Sequence, residues 1–308
     1  MRILIELPTW LGDTVMATPA IENLTNFFDD SQITLIGSYV AVDALKNHPK
    51  VIKAIVLDKK YSNLYSNGKI LGEFDFFFSF RGSIRSKFLK FSVAAKAKFQ
   101  FDKRKYNKMH QVEKYNNFIN DSLNTNTIAG KLILHNIKKS KNDNNKLLGI
   151  NPGASYGSAK RWTSKEFANV AFALSSEYDI VIFGGPGEIG FAADIEKYLI
   201  EKNVNNYQNL TAKTTITELI DQISSLDLFI TGDSGPMHIA AVFQVPTVAI
   251  FGPTNDNETS QWLNEKSLIV KKSLECQPCM KRTCPLEHQN CMKLIKASDV
   301  LNAVKSLN

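Results

Sequence analysis

The chain has 308 residues, 44% of them hydrophobic and 22% charged, with 37 Lys and Arg against 30 Asp and Glu for a net charge of +7. That is the composition of a folded protein long enough for two ordinary domains, and it excludes a disordered or fibrous chain. No apolar run reaches the ~18 residues of a membrane span. The opening Met1-Arg2-Ile3-Leu4-Ile5-Glu6-Leu7 is too short for a signal peptide and carries Glu6 inside it, so it reads as the buried first strand of a cytoplasmic protein.

In chain order, Ile3–Leu7 is expected as a strand, Gly12-Asp13 as a turn, and Thr14–Phe28 as a helix with Val15, Ala17, Ala20, Ile21 and Leu24 on its apolar face. Asp13 stands at the end of the first strand and at a helix start. It suits either an N-cap or a general base that takes the proton of an acceptor hydroxyl. Further strands are expected at Ile33–Ile36, Ile52–Leu57 and Phe74–Phe80, with a helix around Ala41–Lys46. This rhythm predicts a parallel sheet covered by helices.

The charge is unevenly placed: residues 1–146 hold 23 basic and 13 acidic side chains, and residues 147–308 hold 14 and 17. Arg81 to Lys108 alone carries ten cations, Arg81, Arg85 and Lys87 among them, against the single acid Asp102. Such a cluster suits a polyanion or an anionic membrane surface, or it is a solvated helix face. The polar stretch Lys138–Lys146 then breaks the pattern and is the candidate linker between domains 1–145 and 146–308.

The rhythm restarts with a strand at Leu147–Asn151 and the loop Pro152 to Trp162, rich in small residues and ending in Lys160-Arg161-Trp162. A helix is expected at Ser164–Ser176. The strand Asp179–Phe183 runs into Gly184-Gly185-Pro186-Gly187-Glu188 and a helix to Leu199, and Thr217–Ser224 is a further helix. Glu188 is a candidate for ribose hydroxyls. Lys160 is a candidate to neutralise charge on a leaving phosphate.

The most informative segment is Thr231-Gly232-Asp233-Ser234-Gly235-Pro236-Met237-His238, between the apolar runs Leu226–Ile230 and Val245–Phe251. It reads as strand, glycine turn and helix. Gly232 and Gly235 allow close backbone approach, Pro236 suits a first helical turn, and a helix N-terminus attracts phosphate. Asp233 repels phosphate and is better suited to sugar hydroxyls, so the turn fits a sugar joined to a phosphate. His238 either reaches that phosphate or caps the turn.

No GxxxxGK[ST] motif occurs, which argues against a P-loop enzyme, the glycine cluster at Gly184–Gly187 is not expected to be a nicotinamide-binding fingerprint, and no Asp-x-Asp pair offers clustered carboxylates to a metal-bound diphosphate. A diphosphate is therefore expected on a helix N-terminus and Lys160, with no cofactor required. Cys276, Cys279, Cys284 and Cys291 have a spacing that permits a structural zinc site or reduced thiols. Two similar domains with ligand loops at their strand C-termini are expected to face a central cleft.

These residues resemble the ADP-heptose:lipopolysaccharide heptosyltransferases, family 9 of the glycosyltransferases. The resemblance rests on Leu7 to Asp13, Pro152 to Trp162, Gly232 to His238, Phe251-Gly252-Pro253-Thr254 and Cys276 to Cys291, and is closer to the type II enzymes than to type I. It implies a GT-B architecture, two Rossmann-like parallel-sheet domains, the first for the acceptor and the second for the nucleotide sugar. It implies inverting transfer of L-glycero-D-manno-heptose from ADP-heptose to the first heptose of a heptosyl-Kdo-lipid A acceptor at the cytoplasmic face of the inner membrane. Asp13 matches the base and Lys160 the residue on the donor phosphate and sugar. Asp233, Ser234 and Gly235 match the donor loop, with Ser155 and Glu188 as further donor contacts. Arg81, Arg85 and Lys87 then face the anionic acceptor and membrane surface.

The alternatives are a type I enzyme acting on Kdo-lipid A or a relative using another nucleotide sugar. Outside the class stands a basic nucleic-acid-binding protein, opposed by the acidic second half and the lack of an aromatic-basic RNA motif.

Overall fold

The computed structural model describes residues 1–57, 71–135, 137–138, 145–153 and 156–307. The chain divides into two compact units, Met1–Asn136 and Ile137–Asn308. The division falls ahead of the expected 145/146 boundary, and residues 139–144 of the expected linker lie outside the described residues.

In the first unit, β1 (Arg2–Glu6), β2 (Gln32–Gly37), β3 (Val51–Val56), β4 (Glu73–Ser79) and β5 (Ala94–Gln100) form one sheet in the order β3-β2-β1-β4-β5. Every pairing is parallel. β1 holds the centre because Ile3, Leu4 and Ile5 are apolar on both faces, and all three are fully buried. The helices are α1 (Leu11–Met16), α2 (Thr18–Phe27), α3 (Tyr39–Leu45), α4 (Ile84–Ser92) and α5 (Gln111–Leu123).

The sequence predicts one helix from Thr14 to Phe28, whereas the structure has two, parted at Ala17. The cause is Pro19, which has no N–H to give the Val15 carbonyl; the Thr18 hydroxyl donates to that carbonyl instead, at 2.7 Å. The basic stretch 81–108 is likewise not one helix face. It runs over α4, the edge strand β5 and the short turn Lys103–Lys105. Lys96 pairs with Asp75, Arg104 with Asp102 and Lys105 with Asp121, at 2.6, 2.9 and 2.6 Å. Lys96 and Lys98 on an edge strand also discourage a further strand from adding there.

In the second unit, β6 (Lys146–Asn151), β7 (Tyr178–Ile182), β8 (Tyr207–Asn209), β9 (Leu228–Gly232), β10 (Thr247–Ile250) and β11 (Ser267–Val270) form a parallel sheet in the order β11-β10-β9-β6-β7-β8. Helices α6 (Ser164–Leu174), α7 (Ile189–Glu201), α8 (Ile216–Ser224), α9 (Gly235–Val242), α10 (Asp256–Thr259), α11 (Asn290–Lys293) and α12 (Ala297–Leu307) accompany it. Its core joins Leu148, Ile150, Ile180, Ile182, Ile230 and Val248 of the strands to Phe167, Ile195 and Val300 of the helices.

In both sheets the strand order reverses beside the first strand, between β1 and β4 and between β6 and β9. Loops at the carboxyl ends of strands flanking such a switch point are where open α/β sheets bind ligands. Asp13 follows β1, Arg81 follows β4, Lys160 follows β6 and Asp233 follows β9. Among the described residues, no helix is long and apolar enough to cross a membrane.

Candidate active site

At the first switch point, Glu6 ends β1 opposite Ser79 of β4 and is 1% exposed. Its carboxylate accepts hydrogen bonds from the Ser79 hydroxyl at 2.5 Å and the Ser86 hydroxyl at 2.9 Å, and the Arg81 guanidinium stands 3.5 Å away. Burial pushes its pKa above the ordinary carboxylate value, and the two hydroxyls with Arg81 and Arg85 pull against that rise. Glu6 therefore braces the β4–α4 turn and anchors Arg81, with Arg85 in electrostatic reach. Lys87 is exposed on α4.

Asp13 is not the N-cap of α1. Trp10 takes that position without a side-chain bond, and Asp13, half-buried, lies in the first turn. A negative charge is favoured there by the helix dipole. Its field reaches buried Tyr115 of α5, whose phenol is held well above its ordinary pKa, mainly by burial and then by Asp13.

The second switch point is organised by Asn151, the last residue of β6 and 3% exposed. Its amide donates to the Thr231 hydroxyl at 3.2 Å and the Ser234 hydroxyl at 3.0 Å. Ser234 is the N-cap residue of α9 but makes no side-chain cap bond, because its hydroxyl faces Asn151 and Thr231. The helix thus begins without a side-chain cap, the condition under which an anion can take its first N–H groups.

Beside that turn, the Lys160 ammonium donates to Asp233 twice, to Oδ2 at 2.5 Å and to the main-chain carbonyl at 3.2 Å. Thr254 donates its hydroxyl to the same Oδ2 at 2.6 Å. Lys160 and Asp233 are 12% and 6% exposed, so the pair is nearly dry. An ammonium has three protons, and two directed at Asp233 leave a third for a ligand oxygen.

Lys160 is held from beneath by the cysteine-bearing segment. Its ammonium and the Arg282 guanidinium lie 4.8 and 5.4 Å from the centre of the Tyr156 ring. The Tyr156 hydroxyl donates to the Met280 carbonyl at 2.7 Å, and the Ala159 N–H donates to the Arg282 carbonyl at 3.0 Å. Gly157 is required by this approach, since a β-carbon there would sit 2.3 Å from the Arg282 oxygen. Gln289 donates to the Ser158 and Arg161 carbonyls, and buried Trp162 closes the loop with its indole N–H on the Ile295 carbonyl at 2.9 Å.

The remaining predicted residues fall as follows. Glu188 is buried at 6%, accepts the Gly185 N–H at 2.5 Å and packs its carboxyl against Gly153, so it braces two loops of this edge. His238 is 2% exposed in the first half of α9. Ser155 lies outside the described residues. Cys276, Cys279, Cys284 and Cys291 are free thiols that line one cavity of about 20 Å³. Burial, with the other three thiols, pushes the Cys291 thiol up. Among the described residues, side chains of metal-ligand type converge within 4.8 Å at Glu22, His48 and His135.

The site includes residues to which sequence reasoning gave no role. Thr254 lay in a quoted motif, Glu6 was a carboxylate inside an apolar strand, Asn151 ended the strand before the loop that carries Lys160, and Tyr156 lay within that loop.

Two parallel switch-point sheets, the second carrying a nearly dry cation beside an uncapped helix start, have what a transferase of the nucleotide-sugar kind needs to hold its donor. Residues 71–290 match glycosyltransferase family 9 (heptosyltransferase), and the chain belongs to this family. It is 45% identical over 315 residues to lipooligosaccharide heptosyltransferase 2 of Campylobacter jejuni subsp. jejuni serotype O:2, covering 100% of this chain and 98% of that one. Among solved structures it is similar to E. coli ADP-heptose lps heptosyltransferase II, with a TM-score of 0.82 at 21% identity, covering 100% and 98% of the two chains. It is also similar to E. coli heptosyltransferase WaaC with ADP, with a TM-score of 0.75 at 14% identity and full coverage of both. The shared fold is GT-B.

Proposed function

We propose that this chain is an inverting glycosyltransferase that moves L-glycero-D-manno-heptose from ADP-heptose to the first heptose of the lipopolysaccharide or lipooligosaccharide inner core, the type II reaction. The observation that carries this is the 45% identity, along the whole chain, to a protein named lipooligosaccharide heptosyltransferase 2. The donor belongs to the second unit. Its diphosphate takes the uncapped first turn of α9 and the third proton of Lys160, and its heptose takes Asp233, Ser234 and Gly235. Glu188, Gly232, His238 and Ser155 complete the donor contacts in this reading.

The acceptor belongs to the first unit, with Arg81, Arg85 and Lys87 toward its anionic groups. Asp13 takes the proton of the attacking hydroxyl as that oxygen adds to the anomeric carbon and the C–O bond to ADP breaks on the opposite face. Charge building on the departing diphosphate is met by Lys160 and the α9 dipole, so the chemistry needs no divalent cation. Turnover should persist in EDTA, and a strict Mg²⁺ requirement would refute this part.

The cysteine segment has a structural part, holding the loop 156–161 through Met280, Arg282 and Gln289. In its finer form the four thiols carry a zinc ion. Metal analysis of untreated protein tests this, and metal-free protein with an unchanged melting curve removes it. The enzyme works in the cytoplasm, in peripheral contact with the anionic inner membrane that carries its acceptor.

The deciding experiment measures ADP release from ADP-heptose with acceptors carrying zero, one or two heptoses. Release confined to the one-heptose acceptor is expected. Release with the heptose-free acceptor alone makes the chain a type I enzyme. No release with any of them points to another nucleotide sugar.

A further inference from the structure

Helix α4 wears its apolar side chains on the wrong side for a globular fold. It packs inward through Ser86 and Leu89, both fully buried, and Ser83 caps it by accepting the Ser86 N–H at 3.2 Å. Ile84, Phe88 and Phe91 are instead 80%, 44% and 82% exposed. At about 100° per residue, these three fall within about 60° of one another, directly opposite the buried pair. Exposed apolar residues scattered singly need no explanation, but an aligned stripe on one helix does. Among the described residues, no packing within the first unit accounts for Ile84 and Phe91, which are 80% and 82% exposed.

The flanks of the stripe say what it meets. Lys87 and Lys90 lie along one side and Arg85 along the other, and the helix carries no acid. An apolar ridge bordered by cations is complementary to a surface with an apolar interior and anionic headgroups. A protein partner would more often meet the stripe with its own apolar groove and matched acids, and a second copy of this chain would set these cations against their equals.

We infer that α4 is an interfacial helix that seats the first unit on an anionic lipid bilayer, with Ile84, Phe88 and Phe91 entering the headgroup–acyl boundary and Lys87 and Lys90 on the phosphates. The inference rests on the proposed reading for the identity of the membrane, and it adds the surface by which the enzyme reaches a lipid-borne acceptor. α4 follows directly on the β4 edge that holds Arg81, so the seat lies beside the residues proposed for the acceptor.

The test is co-sedimentation of the full chain with vesicles of phosphatidylcholine alone and of phosphatidylcholine with phosphatidylglycerol, for wild type and a Phe88→Ser/Phe91→Ser variant. Binding to the anionic vesicles is expected, weakening as salt rises, with a loss of ~10-fold or more in the variant. Heptose transfer to a delipidated, water-soluble acceptor should be unchanged in the variant, since neither residue is placed in the catalytic or binding machinery, and a single cooperative melt checks that the variant is folded. Equal partition of the two proteins, or no binding to anionic vesicles by wild type, overturns the inference. So does a concentration-dependent dimer that the variant abolishes without vesicle binding. If transfer is absent in both proteins while vesicle binding still depends on Phe88 and Phe91, the functional reading fails and the lipid seat stands.

Discussion

Glu6 in the first unit and Asn151 in the second hold the same place in their sheets. Each ends the first strand, and each faces a hydroxyl residue across the switch point, Ser79 for Glu6 and Thr231 for Asn151. Yet one is a buried carboxylate served by two hydroxyls and an arginine, and the other a neutral amide bonded to two hydroxyls. The second unit moves its charge outward, into the Lys160–Asp233 pair beside the start of α9. The same topology thus hides an acid under cations at one edge and displays a cation beside an uncapped helix at the other. A strand-end pair fixes the loop geometry in both, and what differs is where the charge is left to act.

The largest expected effect tests whether the first edge carries chemistry at all. Asp13→Asn should lower turnover by ~10²-fold or more, as loss of a general base does, and leave ADP affinity unchanged. Steady-state transfer and ADP titration on the purified variant measure the two separately. Near-normal turnover would reduce Asp13 to a first-turn charge and break the proposed division between the edges.

The charge pair of the second edge comes next. Lys160→Met leaves the Asp233 carboxylate nearly buried with the Thr254 hydroxyl as its remaining side-chain partner, a change expected to cost about 3 kcal/mol of stability along with donor binding. Adding Asp233→Asn removes the stranded charge and should recover most of the stability without recovering the donor. Denaturant melts and ADP titration of the three proteins form the test. If the double variant binds ADP as wild type does, Lys160 is a structural partner of Asp233 and nothing more.

Glu6→Gln makes the first edge resemble the second. Burial raises the Glu6 carboxyl above its ordinary 4.5. The folded chain therefore holds that proton more tightly than the unfolded chain. The stability it contributes is full below pH 4.5 and is lost as pH climbs through the folded value. Glutamine carries no such titration, so the melting temperature of the variant should gain on that of wild type from pH 4.5 upward. A constant difference across that range would mean that Arg81 and the two serines already offset the burial.

Much of this contrast was legible in the sequence. Strand rhythm located eight of the parallel strands, β1 to β4, β6, β7, β9 and β10, because a strand inside a parallel sheet is a near-continuous apolar run, and the mostly exposed edge strand β3 is largely apolar as well. Asp13, Lys160 and Asp233 declared themselves through the loops that hold them. β5 did not, since Ala94–Gln100 is an edge strand spaced with lysines and shows no such run. Glu6 was noticed only as an obstacle to a signal peptide, because its hydroxyl partners Ser79 and Ser86 lie far along the chain. Met280 acts through its main-chain carbonyl and Arg282 through its carbonyl as well as its guanidinium, and no side-chain pattern encodes the main-chain contacts. The split of the expected helix 14–28 was readable from Pro19, whose missing N–H outweighed the apolar periodicity.

The smallest effect sharpens what the basic stretch of the first unit contributes. Its cations separate into those that border the apolar ridge of α4, Lys87 and Lys90, and those already spoken for, such as Lys96, which is 82% exposed and bound to Asp75 at 2.6 Å. The pair lowers the Asp75 pKa and raises that of Lys96, each chiefly through the hydrogen bond between them. Surface pairs of this kind contribute little, because holding two mobile side chains together opposes a Coulomb attraction already screened by water. Lys96→Ala should therefore leave the melting curve, the acceptor KM and vesicle binding close to those of wild type. A raised acceptor KM in this variant would mean that charge anywhere along residues 81–108 steers the acceptor. The first unit would then act on its substrate through its overall field rather than through the residues gathered at the β4 edge.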